Sequence, residues 1–165
     1  MNREKTQVAY AGKVKYLGYG LYVSKGEGRL RIHPKSIQKF KDKIREITGR
    51  SNGMGIEARK TRLNQVIRGW MNYFKLADAK NLIQSLDEWI RSRIRMVTWK
   101  RWKKVRIRFE NLKRLGIKED QAWMWANTRK GYWRTAHSPI LLMSLSNEKF
   151  RRFGYLSLTG CYSAK

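Results

Sequence analysis

The chain has 165 residues, enough for one domain or two small ones, and 41% hydrophobic with 12% aromatic residues exclude a disordered basic tail. Its 38 Lys plus Arg against 12 Asp plus Glu give a net charge of +26, a self-repulsion that few folds carry without a polyanionic partner. No run reaches the roughly 18 consecutive apolar residues of a membrane span, and the first residues lack a signal-peptide core, so no membrane partner is expected. Seven Trp and eight Tyr interleaved with the cations favour nucleic acid over lipid, because rings can stack on bases while cations pair with phosphates. Cys161 is alone and His33 and His137 are the only histidines, which excludes a disulfide framework and a zinc site.

Residues 1–34 read as extended. Tyr16 to Val23 and Arg29 to His33 make a hairpin around SKGEG, with Gly18 and Gly20 either bulged or closely approached by another backbone. Pro34 opens a helix that Ser36 could cap, with Ile37, Phe40, Ile44 and Ile47 on one face and Gly49 at its end. After the RSNGMG connection a second helix runs from about Ile56 to Leu76, facing Leu63, Val66, Ile67, Trp70 and Phe74 inward. Asp78 can cap a third, with Leu82, Leu86, Trp89, Ile90, Ile94 and Val97 on its apolar side and a cationic opposite side. Three such helices make a bundle.

Val105, Phe109, Leu112 and Leu115 form a fourth helix ended by Gly116, and Glu119 to Asn127 a fifth with Trp123 and Ala126 inward. NTRKGYWRTAHSPI reads as irregular up to a helix capped by Ser138 and started by Pro139. A short helix after Asn147 stops at Gly154, and the tail reads as coil with room for a short strand. The fold class is therefore mainly α with an N-terminal β-hairpin.

The acids are scattered, so no carboxylate cluster suits two-metal phosphoryl transfer; no catalytic or metal residue is assigned. Cys161, Ser138 and His137 lack the arrangement of a nucleophile and its base, and there is no GxxxxGK[ST] loop. Arg129, Lys130, Tyr132, Trp133 and Arg134 are the densest mixture of cation and ring outside a clear helix. They suit either base reading or a solvated loop with Trp133 in the core.

The stretch from Ile67 to Lys104 contains GWMNYF, DEWIRSRIR and WKRWKK, and resembles the maturase-specific region, or domain X, of group II intron-encoded reverse transcriptases. NREKTQV and KVKYLGYGL resemble the last palm blocks of that family, HPKSIQKFKDKIREIT the entry to its thumb, and NTRKGYWRTAHSPIL the C-terminal region of bacterial members. The resemblance implies three parts: the end of a palm at 1–34, a thumb or domain X at 35–104, and a DNA-binding-like helical region at 105–165. It implies phosphate contacts by Arg91, Arg93, Arg95, Lys100, Arg101, Lys103 and Lys104, and a primer-grip-like turn at Tyr16, Leu17 and Gly18. The implied partners are group II intron RNA, template-primer or target DNA, and a fingers-palm portion supplied in trans.

The palm block that carries the catalytic aspartates and an HNH-like endonuclease region have no counterpart in this sequence. The chain alone is therefore expected not to polymerise DNA, with Mg2+ required only by the complete enzyme. A cytoplasmic, ribonucleoprotein-associated protein is expected. The competing reading is a generic basic RNA- or DNA-binding protein, or a remnant without an intron partner.

Overall fold

The computed structural model describes Tyr10, Gly12 and residues 15–164. NREKTQV, including Glu4, and the first residues of KVKYLGYGL lie outside the described residues. Three strands, β1 (Lys15–Tyr16), β2 (Tyr19–Ser24) and β3 (Glu27–Ile32), form an antiparallel sheet in the order β1-β2-β3. The strand expected from Tyr16 to Val23 is broken at Leu17 and Gly18. Tyr16 pairs with Tyr19 and Ser24 with Glu27, so each hairpin closes on two residues. Leu17 and Gly18 have φ of +48° and +83°, and Lys25 and Gly26 have +53° and +80°. Positive φ at both central positions matches a two-residue turn to the strand twist, so Gly18 is a turn residue rather than a bulge.

Helix α1 (Pro34–Ile47) has Pro at its start, but its cap is His33, whose Nδ1 accepts from the Lys35 N–H. Ser36, the expected cap, lies in the first turn and donates its hydroxyl to the Gly18 carbonyl at 3.0 Å. Helix α2 (Ile56–Tyr73) ends three residues before the expected Leu76. There the chain turns back to the sheet, the Asp78 N–H donating to the Leu30 carbonyl at 2.8 Å. Asp78 does not cap the next helix; its carboxylate accepts from Tyr22 Oη and Arg29 Nη1, tying the sheet to the α2 end. Ala79 is the cap residue of α3 (Lys80–Arg101).

Helix α3 is buried on more than one side, unlike the one-sided amphipathic helix the sequence suggested. Ile83, Leu86, Ile90, Ile94 and Trp99 are buried, and so are Asp87, Arg91, Ser92 and Arg95. The reason is the C-terminal region: α4 (Val105–Arg114), α5 (Glu119–Ala126), α6 (Tyr132–Ala136), α7 (Pro139–Ser144), α8 (Asn147–Arg152) and α9 (Leu158–Ser163), of which α6 and α9 pack on α3. The segment read as irregular thus contains α6, and the tail read as coil or strand contains α9. Asp87 explains α9: its carboxylate accepts from the Leu158 N–H at 2.8 Å and from the Ser157 and Thr159 hydroxyls. In α5 the inward residues are Ala122 and Ala126; Trp123, expected inward, is 57% exposed.

One apolar cluster runs from Ile32 through Phe40, Ile44, Leu63, Ile83 and Ile90 to Leu141, Phe150 and Leu158. Each fully buried Ile or Leu there contributes about 1.5–3 kcal/mol relative to exposure. The core therefore holds the three long helices and the C-terminal helices in one fixed arrangement. No helix among the described residues is long and apolar enough to cross a membrane.

Candidate nucleic-acid interface

The arginines of DEWIRSRIR separate into distinct environments. Arg91 is 5% exposed, hydrogen-bonded to Asp87 Oδ2 at 3.3 Å and set over the Phe150 ring. Arg95 is equally buried, donates to the Leu145 carbonyl at 3.0 Å and to Asn147 Oδ1, and also covers Phe150. Burial, then the Arg91 charge, push the Arg95 guanidinium down to about 10. These two side chains clamp the α7–α8 region to α3, so they do not belong to an exposed cationic face. Arg93 is half-buried and donates to Thr48 Oγ1 at 2.9 Å and to the Arg45 and Thr48 carbonyls, covering the α1 C-terminus.

Around Arg93 the cations of different elements converge. Lys41, Arg45 and Arg93 all lie within 6 Å of the Trp89 ring centre, three cations around one half-buried indole. Arg93 is held below its usual range first by burial and then by the Arg45 and Arg50 charges. The Arg50 guanidinium in turn lies over Tyr132, 5.7 Å from its centroid, which brings the RKGYWR segment to the same side. There Arg129, Lys130 and Arg134 are exposed and Tyr132 is half-buried. Trp133 is 43% exposed with its ring edge-on to His137, so it is neither a core residue nor fully free.

Beyond Arg50 the strip opens into a cleft of about 480 Å³ between the 50–55 loop and the end of α3. It is lined by Arg50, Arg59, Lys100, Arg101 and Lys103, with Met54 and Val97 as apolar wall and no carboxylate. Lys100 Nζ donates to the Arg50 carbonyl at 2.6 Å and to Ser51 Oγ, which fixes the loop against α3. Arg59 is buried, donates to the Ile47 carbonyl and Asn52 Oδ1, and is held below its usual range by burial and then by the Arg101 charge. Arg101, Lys103 and Lys104 are exposed. Among the described residues no ion pair engages Arg50, Lys100, Arg101, Lys103 or Lys104. Sequence reasoning missed Arg50 and Arg59; the signal was a cation before a Gly-containing loop that leads into a helix.

The Tyr16, Leu17, Gly18 turn sits apart, over the start of α1 and the end of α2. Tyr16 and Leu17 are exposed, at 71% and 65%. The turn is braced from three sides: Tyr73 Oη donates to the Leu17 carbonyl, and the Gly18 carbonyl accepts from the His33 N–H and Ser36 Oγ. A non-glycine residue at φ +48° is strained, and these bonds over-determine it. Among the described residues no three His, Cys, Asp or Glu side chains are grouped so as to hold a metal ion.

Residues 37–116 match the family model described as the group II intron maturase-specific domain. The match spans most of α1, all of α2 to α4 and the whole cleft, and leaves the Tyr16–Gly18 turn and the 129–134 segment outside it. No curated protein matches the chain.

Proposed function

We propose that this protein, whose residues 37–116 form a group II intron maturase-specific domain, assists intron splicing by binding the intron RNA along the strip from Lys41 and Arg45 to Lys103. The observation that carries this reading is the cleft within the matched region, where Arg50, Lys100, Arg101 and Lys103 converge without a carboxylate. Uncompensated cations beside half-buried rings suit phosphates flanked by unstacked bases. Arg129, Lys130, Tyr132 and Arg134 extend the surface and are assigned to RNA or target-DNA backbone. Purified protein is expected to bind the group II intron RNA transcribed with its reading frame more tightly than an unrelated structured RNA of equal length. If six to ten phosphates are contacted, affinity falls roughly a thousandfold or more between about 50 and 200 mM salt. Equal affinity for both RNAs in a filter-binding assay reduces the protein to a generic polyanion binder.

A second reading is favoured by the strained, braced turn at Leu17: Tyr16, Leu17 and Gly18 contact a primer strand when a fingers-palm portion is supplied in trans. The chain alone then does not extend a primer, and the Mg2+ chemistry belongs to the complete enzyme. Primer extension by a fingers-palm fragment should rise on adding this protein, and no gain on mixing removes the reading.

A further inference from the structure

The loop cleft differs from the rest of the cationic strip in being concave, partly apolar and placed at a helix end. Its space of about 480 Å³ equals that of a dozen or more waters, far more than one phosphate group fills. Met54 and Val97 give one wall an apolar surface on which a ribose or base edge can rest. Gly55, which lines the cleft, is the cap residue of the 18-residue α2, and no side chain there accepts from the first N–H groups of the helix. A Cβ built at Gly53 or Gly55 meets nothing within 4 Å, so the loop backbone is open to a ligand. Lys100 uses two of its three donors on the loop, and among the described residues the Arg101 guanidinium has no hydrogen-bond or ion-pair partner, so both keep donors for a guest.

We propose that this cleft seats a backbone phosphate of a kinked or looped RNA strand together with its adjoining nucleoside, the charge met by Arg50, Lys100, Arg101, Lys103 and the open N-terminus of α2. This rests on the RNA-binding reading above and makes it local. A duplex presents its phosphates on a convex surface and leaves the apolar wall uncovered, whereas a single-stranded bend can enter the cleft. A free phosphate ion would likewise leave most of the space and the apolar wall unused.

The inference predicts opposite signs for stability and binding at one residue. Gly55→Asp and Gly55→Ser give α2 a side-chain cap, which should raise the unfolding midpoint. The same side-chain oxygen takes the amides and space that the phosphate uses. Filter binding of the full chain should show the intron RNA affinity falling roughly tenfold for Gly55→Asp and a few-fold for the neutral Gly55→Ser, with binding to an RNA duplex of equal length nearly unchanged. Inorganic phosphate should not compete beyond chloride at equal ionic strength. Intron RNA affinity unchanged in both variants, or an equal loss for intron RNA and duplex, overturns the cleft assignment while leaving general RNA binding intact. Competition by low-millimolar phosphate overturns the strand assignment in favour of a small-anion site. Failure of the unaltered protein to prefer intron RNA over the unrelated RNA overturns the broader reading as well.

Discussion

His33 joins the sheet to the first helix through two contacts. Its backbone N–H donates to the Gly18 carbonyl at 3.0 Å, and its Nδ1 accepts from the Lys35 N–H as the cap of α1. Only the neutral ring can accept at Nδ1. Burial, then the charges of Lys15, Lys35 and Arg31, lower its pKa from the usual 6.5. With the folded pKa below the unfolded one, the folded state binds fewer protons in the window between them. Stability is then full above about 6.5 and is lost as pH falls toward the depressed folded value. Thermal unfolding followed by circular dichroism should give a midpoint that falls as pH is lowered below about 6.5. His33→Asn, which keeps a capping oxygen but cannot titrate, should flatten that slope; an unchanged slope would assign the pH dependence to other groups. The residue scale also explains why DEWIRSRIR misleads when read as charge alone. Arginine pairs a donor fork with a long apolar stem, so Arg91 and Arg95 can cover Phe150 while bonding to protein oxygens, and periodicity does not distinguish that use from phosphate contact.

At the scale of elements, legibility followed the locality of the signal. Pro34, Gly116 and Gly154 are local stop and start signs, and α1, α4 and α8 lie where they place them, with Gly116 and Gly154 at φ of +87° and +80°. The break at Leu17–Gly18 was not legible because such turns are read from Asn-Gly or Asp-Gly pairs, and here hydrogen bonds from Tyr73, His33 and Ser36 impose the conformation on a leucine. Helix α9 was missed for the same kind of reason: six residues without strong periodicity are held by Asp87, about 70 positions earlier in the chain. Trp123 was misplaced because an eight-residue helix can bury a narrow alanine face and leave its large ring outside. The candidate site divides likewise. WKRWKK marked Lys100, Arg101 and Lys103 directly, but the cleft they line needs Arg50, which Lys100 reaches across 50 positions. No spacing rule connects residues brought together only by the packing of α1 and α2 beside α3.

For the whole molecule, a net charge of +26 is too blunt a description of how the protein meets a polyanion. Its cations fall into a set fixed inside the fold, including Arg59, Arg91 and Arg95, and a set outside it, including Arg101, Lys103 and Lys104, with Arg93 and Lys100 between them anchoring one helix end and one loop. Only the outer set, together with the remaining donor of Lys100, can release counterions when RNA binds. Each phosphate contact removed should therefore reduce the slope of log affinity against log salt by about 0.7 on single-stranded RNA. Lys103→Ala and Lys104→Ala, measured by titrations at several salt concentrations, should each flatten the slope by that amount and leave the unfolding midpoint within experimental scatter. Arg95→Ala should do the reverse. It removes the bonds to the Leu145 carbonyl and Asn147 and opens space over Phe150, a loss of about 2 kcal/mol that lowers the midpoint by about 5 °C, while the salt slope stays unchanged as long as the protein is folded. A flattened slope for Arg95→Ala without loss of stability would mean that the C-terminal helices leave α3 when RNA binds and free the buried guanidinium for phosphate.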